Sequence, residues 1–293
     1  AFVYTDRTHT LFTGSDSIRQ GVFSFSFTVP RDISYSDAIG LLHVYAVNTD
    51  RTQTANGHCT RFTLGGTDAN TDDNEGPEVY CYLNSSDFVD GGRVNPTPYF
   101  IAELEDASGI NAAGNGLGHN LTLVIDGQTT QTYNLNDYFA YDFGSHTRGT
   151  VGFSIPQLTA GDHHLMFRAW DMQNNVTTRE LNFRVVEGLA PGVFEVETTR
   201  NPATTTTGFR IIHDRVGTAL DISIEVFDMA GRMLWQHRQQ ATSSDRSLTI
   251  DWDLSASNGH RLSTGVYLYR VRLGSTGGQQ VSKTKKLIVL SNK

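Results

Sequence analysis

The sequence predicts an all-β protein made of tandem immunoglobulin-like β-sandwiches. Three observations point there. Apolar runs are short and rich in Val, Ile, Phe and Tyr, the residue types that fit a pleated, half-buried surface. Many of these runs alternate apolar and polar residues with period two. Gly, Asn, Asp and Pro punctuate the chain at the close spacing of sandwich turns. A chain of 293 residues exceeds one small sandwich, since domains commonly take about 100–200 residues.

The first segment, residues 1–66, is expected to supply the closing strands of a sandwich that follows a domain outside this sequence. In "GVFSFSFTVPRDI", Phe23, Phe25 and Phe27 alternate with Ser24, Ser26 and Thr28, predicting a strand ended by Pro30 and Asp32. "IGLLHVYAVN" predicts a second strand and "TRFTLGG" a third.

An acidic stretch ending in Pro77 opens the second segment, residues 67–187. Six strands are predicted in it, in "PEVYCYLN", "YFIAELED", "NLTLVIDG", "GTVGFSIP", "GDHHLMFRAWD" and "TRELNFRVVE". The last two are joined by a turn at "MQNN", and Phe167 and Trp170 are expected in the core. "EGLAPGVF" reads as a linker into residues 188–293. There Ile222, Ile224 and Val226 share one face of a strand, and Gly231 in "DMAGR" supplies the positive φ of a hairpin turn. With "TGFRIIHD", "SLTIDWDL", "TGVYLYRVRL" and "SKTKKLIVL", this last segment is expected to have about seven strands and its own core.

Charge and motifs exclude several functions. A net charge of −8 with thinly spread arginines argues against a nucleic-acid-binding surface. No apolar run approaches the roughly 20 residues of a membrane-spanning helix. The opening "AFVYTDRTHTLF" lacks the basic and apolar regions of a signal peptide, so the sequence is expected to begin within a longer protein or after processing. Nucleotide-binding, serine-hydrolase and zinc-peptidase signatures are missing, and no carboxylate pair stands out as a glycosidase dyad. His58 and Cys59 are neighbours that an extended chain points to opposite faces, so they form no nucleophile–base pair. His119 lies among Gly114, Gly116 and Gly118 and reads as part of a loop tip; His163 and His164 would alternate faces on a strand.

Other residues keep two readings. Cys59 and Cys81 flank the acidic stretch and would suit a disulfide in an exported protein, or two buried free thiols. Asp68, Asp72, Asp73, Asn74 and Glu75 are the one oxygen-rich cluster suited to Ca²⁺, but their spacing departs from the EF-hand and favours a solvated linker. Tyr138, Phe139 and Tyr141 could stack on sugars, though packing is the commoner use. No metal or cofactor is expected.

All four lysines fall at position 283 or later, and arginine serves everywhere before them. Lys283, Lys285 and Lys286 precede the apolar run Leu287, Ile288, Val289 and Leu290. Such a pattern protects a sheet edge from stray pairing, or offers a final strand to a partner through strand addition or insertion into a barrel mouth. A hydrated, flexible ammonium suits an acidic rim on such a partner.

The end of the chain resembles the type A C-terminal sorting domain of the type IX secretion system of Bacteroidetes, through "RNPATTTTGFRI", "IEVFDMAGRML", "STGVYLYRVRL" and "KTKKLIVL" in that order. Upstream, "FTGSDSIRQGVFSFSFTVPRDI", "LLHVYA", "DNEGPEV", "ASGINAAGNGLGHNLTLVIDG", "YNLNDYFAYDF" and "LTAGDHHLMFRAWDMQNN" are similar to the region after the catalytic domain in that system's sortase family, gingipain-related cysteine peptidases. The resemblance implies a non-catalytic region of a cell-surface enzyme. The parent enzyme would remove sorting domains from cargo and join cargo to anionic lipopolysaccharide. It also implies that the terminal module docks on an outer-membrane β-barrel of the PorV-like kind, alongside other attachment-complex subunits, and is retained. The competing expectations are an ordinary secreted cargo, adhesin or hydrolase, whose sorting domain is cleaved, and a carbohydrate-binding module.

Overall fold

The computed structural model describes residues 10–31, 33, 39–66, 72–114, 118–192, 194–275 and 278–290. Its regular structure is β throughout, apart from two single-turn 3-10 segments at Thr129–Gln131 and Asn136–Tyr138.

Among its described residues the first segment forms an antiparallel hairpin, β1 (Leu42–Val47) and β2 (Thr54–Cys59). Its turn is organised by Asn48, whose side-chain oxygen accepts from the amides of Thr52 and Gln53 at 2.8 and 3.0 Å. β2 is exposed along its whole length. A two-stranded hairpin without a buried face is marginally stable by itself. The expected Phe23–Phe27 strand forms no ladder; the three rings instead stack in series at 6.2 and 6.3 Å, and Phe27 stacks on Phe12 at 5.2 Å. "TRFTLGG" is likewise irregular, because β1 takes "TANGHC" as its partner.

Two sheets face each other in the second segment. One has the order β4 (Gly92–Val94), β11 (Val176–Val185), β10 (Gly161–Trp170), β6 (Thr122–Ile125), β7 (Thr132–Asn134). The other runs β3 (Glu78–Leu83), β5 (Tyr99–Glu105), β9 (Arg148–Ser154), β8 (Phe139–Tyr141). The inward residues of both meet in one core, where Phe100 of β5 touches Phe167 of β10 with ring centroids 5.1 Å apart. Trp170, expected in this core, is only half-buried, because it ends β10 and its ring tilts against His119 at 4.3 Å.

Seven strands build the terminal sandwich. β12 (Phe194–Thr198), β13 (Thr207–His213) and β16 (Ser247–Trp252) form one sheet in that order. β15 (Met233–Thr242), β14 (Ala219–Phe227), β17 (Gly265–Ser275) and β18 (Gln280–Val289) form the other. Ile222, Ile224 and Val226 pack inward on Phe209, Tyr269 and Trp252. Gly231 turns the β14–β15 hairpin at φ 82°, a conformation that side chains with a Cβ resist.

The two sandwiches meet through buried polar groups. Arg215, 1% exposed, pairs with buried Asp214 at 2.8 Å and donates to Asn95 Oδ1 (3.2 Å) and the carbonyls of Leu189 (3.1 Å) and Ala190 (2.6 Å). Arg246 donates to the Asn84 carbonyl at 2.8 Å, and Thr97 and Thr218 hydroxyls lie 2.7 Å apart.

Candidate interaction surfaces

β18 is an outer strand of its sheet, and its alternation decides what each residue can do. Leu287 and Val289, at 0% and 1% exposure, point inward and belong to the core. They are therefore not available to a partner, which corrects the expectation that the whole apolar run is presented. Ile288 and Leu290 lie on the opposite face at 40% and 43% exposure.

The edge beside them is already occupied. Asn201 acts as a short mimic of a strand: its Nδ2 donates to the Lys286 carbonyl at 3.1 Å and its Oδ1 accepts from the Ile288 amide at 2.9 Å. Ala203 continues the pairing, donating to the Ile288 carbonyl and accepting from the Leu290 amide, both at 2.8 Å. Strand addition at Lys286–Leu290 would first have to displace this segment.

The lysines divide as well. Lys283 and Lys285 share the inward face with Leu287 and Val289, and reach across the open end of the sandwich to Glu195 on β12. Lys283 hydrogen-bonds that carboxylate, and its ammonium holds the Glu195 carboxyl below the usual range. Exposed Lys286 stays on the outer face with Ile288. Together with Val266, which faces Ile288 across the ladder, these side chains make an apolar outer corner rimmed by one ammonium.

A feature invisible to residue-by-residue reading occupies the middle of the same face. Glu225, buried on β14, accepts from Arg270 Nε and Nη2 at 2.8 and 2.5 Å and from Arg272 Nη1 at 2.8 Å. The Arg270 guanidinium also lies over the Phe227 ring, 5.2 Å from its centroid. The clue in the sequence is the R-x-R alternation of "YRVRL" opposite a glutamate in the apolar "SIEVF".

The second sandwich brings together Asp73, Asp106 and Asp171, with one carboxylate oxygen from each within 4.8 Å of the others. Asp68 of the acidic stretch lies outside the described residues, and Asp72 is exposed. Burial first, then the neighbouring charges of Asp171 and Asp73, pushes Asp106 up to about 6. Burial also raises Asp171, although it caps the "MQNN" turn by accepting from the Gln173 and Asn175 amides at 2.9 and 2.7 Å. Such a trio is relieved by a proton or by a hard cation, but three carboxylates fall short of the six to eight oxygens Ca²⁺ takes.

The pH dependence follows from the raised value. The folded state holds the Asp106 proton more tightly than the unfolded chain, so stability falls as pH rises from about 4 through about 6 and levels off above. Asp106→Asn keeps an acceptor for the Ser108 amide and removes one charge. It is expected to stabilise the protein at pH 7 by about 1 kcal/mol, after allowing for solvent screening, and to flatten the urea-unfolding profile between pH 4 and 7.

The remaining candidates are structural. No disulfide joins Cys59 and Cys81: the first is exposed on β2, the second packs against the sandwich core on β3, where burial pushes its thiol up to about 11. His163 lies between Asp126 Oδ2 and the Thr159 carbonyl, each at 2.8 Å, and His164 lies 3.5 Å from Glu180. Phe139 and Tyr141 pack on the core, and Tyr141 donates to the Ile110 carbonyl at 2.6 Å. Only Tyr138 of that trio is exposed, with its edge against Phe153, so the three form no stacking platform.

No family model and no curated protein matches the chain. Among solved structures it is similar to the dimeric latent PorU from Porphyromonas gingivalis, with 39% identity over 91% of this chain and 25% of that one, at a TM-score of 0.46. The chain is related to PorU. It spans a quarter of PorU's length, and the identity extends over nearly all of the present sequence. An endo-β-1,4-mannanase from Thermotoga petrophila (12% identity, 38% of this chain, 20% of that one) and the FN1–FN3 domains of chicken CNTN1 (10% identity, 84% and 76%) both give TM-scores of 0.25, too low to bear on fold or function.

Proposed function

We propose that this chain is the non-catalytic region of a type IX secretion sortase and that its terminal sandwich docks the enzyme on an outer-membrane β-barrel of the PorV-like kind. The sandwich at residues 67–187 then holds the peptidase at a fixed distance from that anchor. The parent enzyme removes sorting domains from cargo and attaches the cargo to anionic lipopolysaccharide at the outer face of the outer membrane. The observation carrying this reading is the 39% identity to PorU over 91% of the chain. The exposed corner of Val266, Lys286, Ile288 and Leu290 supports the choice of contact, because it keeps apolar side chains in solvent beside a cation.

A docking module must stay attached to the protein it anchors. Peptide mapping by mass spectrometry of the envelope-bound protein is expected to recover peptides from residues 188–290 in the same abundance as those from 72–187. Selective loss of the terminal peptides would identify a cleaved cargo instead.

A further inference from the structure

The outer face of the β15–β14–β17–β18 sheet carries a second constellation, one row away from the Glu225 cluster. In register across the four strands stand Arg238, Ser223, Arg272 and Ser282. Side chains directly opposite on a sheet face lie about 5 Å apart at Cβ, so two arginines flank one serine in register. Both arginines are held from the same side. Arg272 Nη1 is fixed by Glu225 at 2.8 Å. Gln236 stands beside Arg238, and its amide oxygen, once turned toward the guanidinium, would accept from Nε and Nη2 at 3.2 and 3.0 Å.

Between them, Ser223 Oγ is buried and has no hydrogen-bond partner among the described residues. It borders a cleft of about 490 Å³ lined also by Gln240 and Gln280. The cleft's one carboxylate, Asp221, accepts from Gln240 at 2.8 Å. Two guanidiniums, Arg238 and Arg272, line the cleft against this one carboxylate, on a chain whose net charge is −8.

We infer that this row is a binding site for a phosphate-class oxyanion, received between Arg238 and Arg272 with the Ser223 hydroxyl as a third donor. Guanidinium forks match the paired oxygens of such a group, and their remaining N–H donors are strong only toward an anion. Glu225 and Gln236 supply the pre-organisation: the arginines are ordered before the ligand arrives, which lowers the entropic cost of binding. The site lies apart from the apolar corner and does not depend on the docking reading.

Isothermal titration of the full chain with inorganic phosphate and, separately, with glycerol 1-phosphate tests this, each against sodium chloride at equal ionic strength. Saturable binding of inorganic phosphate is expected, and binding of the ester with similar affinity would show that the site accepts the phosphoryl end of a larger ligand. Binding of the free ion alone would still support the site and confine it to inorganic phosphate. Arg238→Gln, which leaves the Glu225 pair untouched, is expected to weaken binding about tenfold. Ser223→Ala is expected to weaken it about threefold, with the thermal midpoint unchanged in both. Absence of binding beyond the salt control, or affinities unchanged in both folded variants, would overturn the inference.

Discussion

Arg215→Ala is expected to lower unfolding stability by about 3–5 kcal/mol, the cost of removing one member of a buried ion pair. Without the guanidinium, Asp214 keeps its bond from the Gly192 amide at 2.9 Å but faces no cation, and the carbonyls of Leu189 and Ala190 lose their donor. Asn95 loses its tie to the terminal sandwich as well. The two sandwiches should therefore separate in behaviour: scanning calorimetry of the variant is expected to show two unfolding transitions where the wild type shows one. The double change Asp214→Asn with Arg215→Met leaves no unpaired charge and should recover most of the loss. A loss below about 1 kcal/mol for Arg215→Ala would mean that the junction does not couple the sandwiches.

Most strands of the two sandwiches were legible because each has one face in a core. "TGFRIIHD" and "SLTIDWDL" alternate, and their inward residues, Phe209, Ile211, Ile250 and Trp252, are buried as the period requires. Three-residue strands such as β4, β7 and β8 carry too few residues for a period. In the first segment the pattern misleads. Phe23, Phe25 and Phe27 alternate as a strand would, but the pairing that makes a ladder is absent. β2 forms from residues with little β-propensity because the Asn48 turn sets its register against β1.

The sites follow the same logic. The alternation of the tail was readable, yet which face of β18 turns inward was fixed by the opposing sheet and by Glu195, 88 residues away from Lys283. Asp73, Asp106 and Asp171 meet only through tertiary packing. The Arg238–Ser223–Arg272 row exists only in the register of three strands.

The second large effect concerns docking. Removing the end of the chain from Lys285 onward is a poor test, since it deletes Leu287 and Val289 from the core. Truncating even one such side chain to alanine costs about 2–5 kcal/mol. Release of a truncated protein would follow from unfolding alone. Ile288→Asp with Leu290→Asp changes only outward side chains and leaves the Asn201 and Ala203 backbone pairing in place. Placing carboxylates at an apolar contact desolvates charge without a partner, so the loss of affinity should exceed about a hundredfold.

Co-sedimentation of the full chain with outer membranes carrying the PorV-like barrel measures this directly. The wild type is expected in the membrane pellet, and the double variant, with an unchanged urea midpoint, in the supernatant. A folded double variant that pellets as the wild type does would contradict docking through this corner of the terminal sandwich.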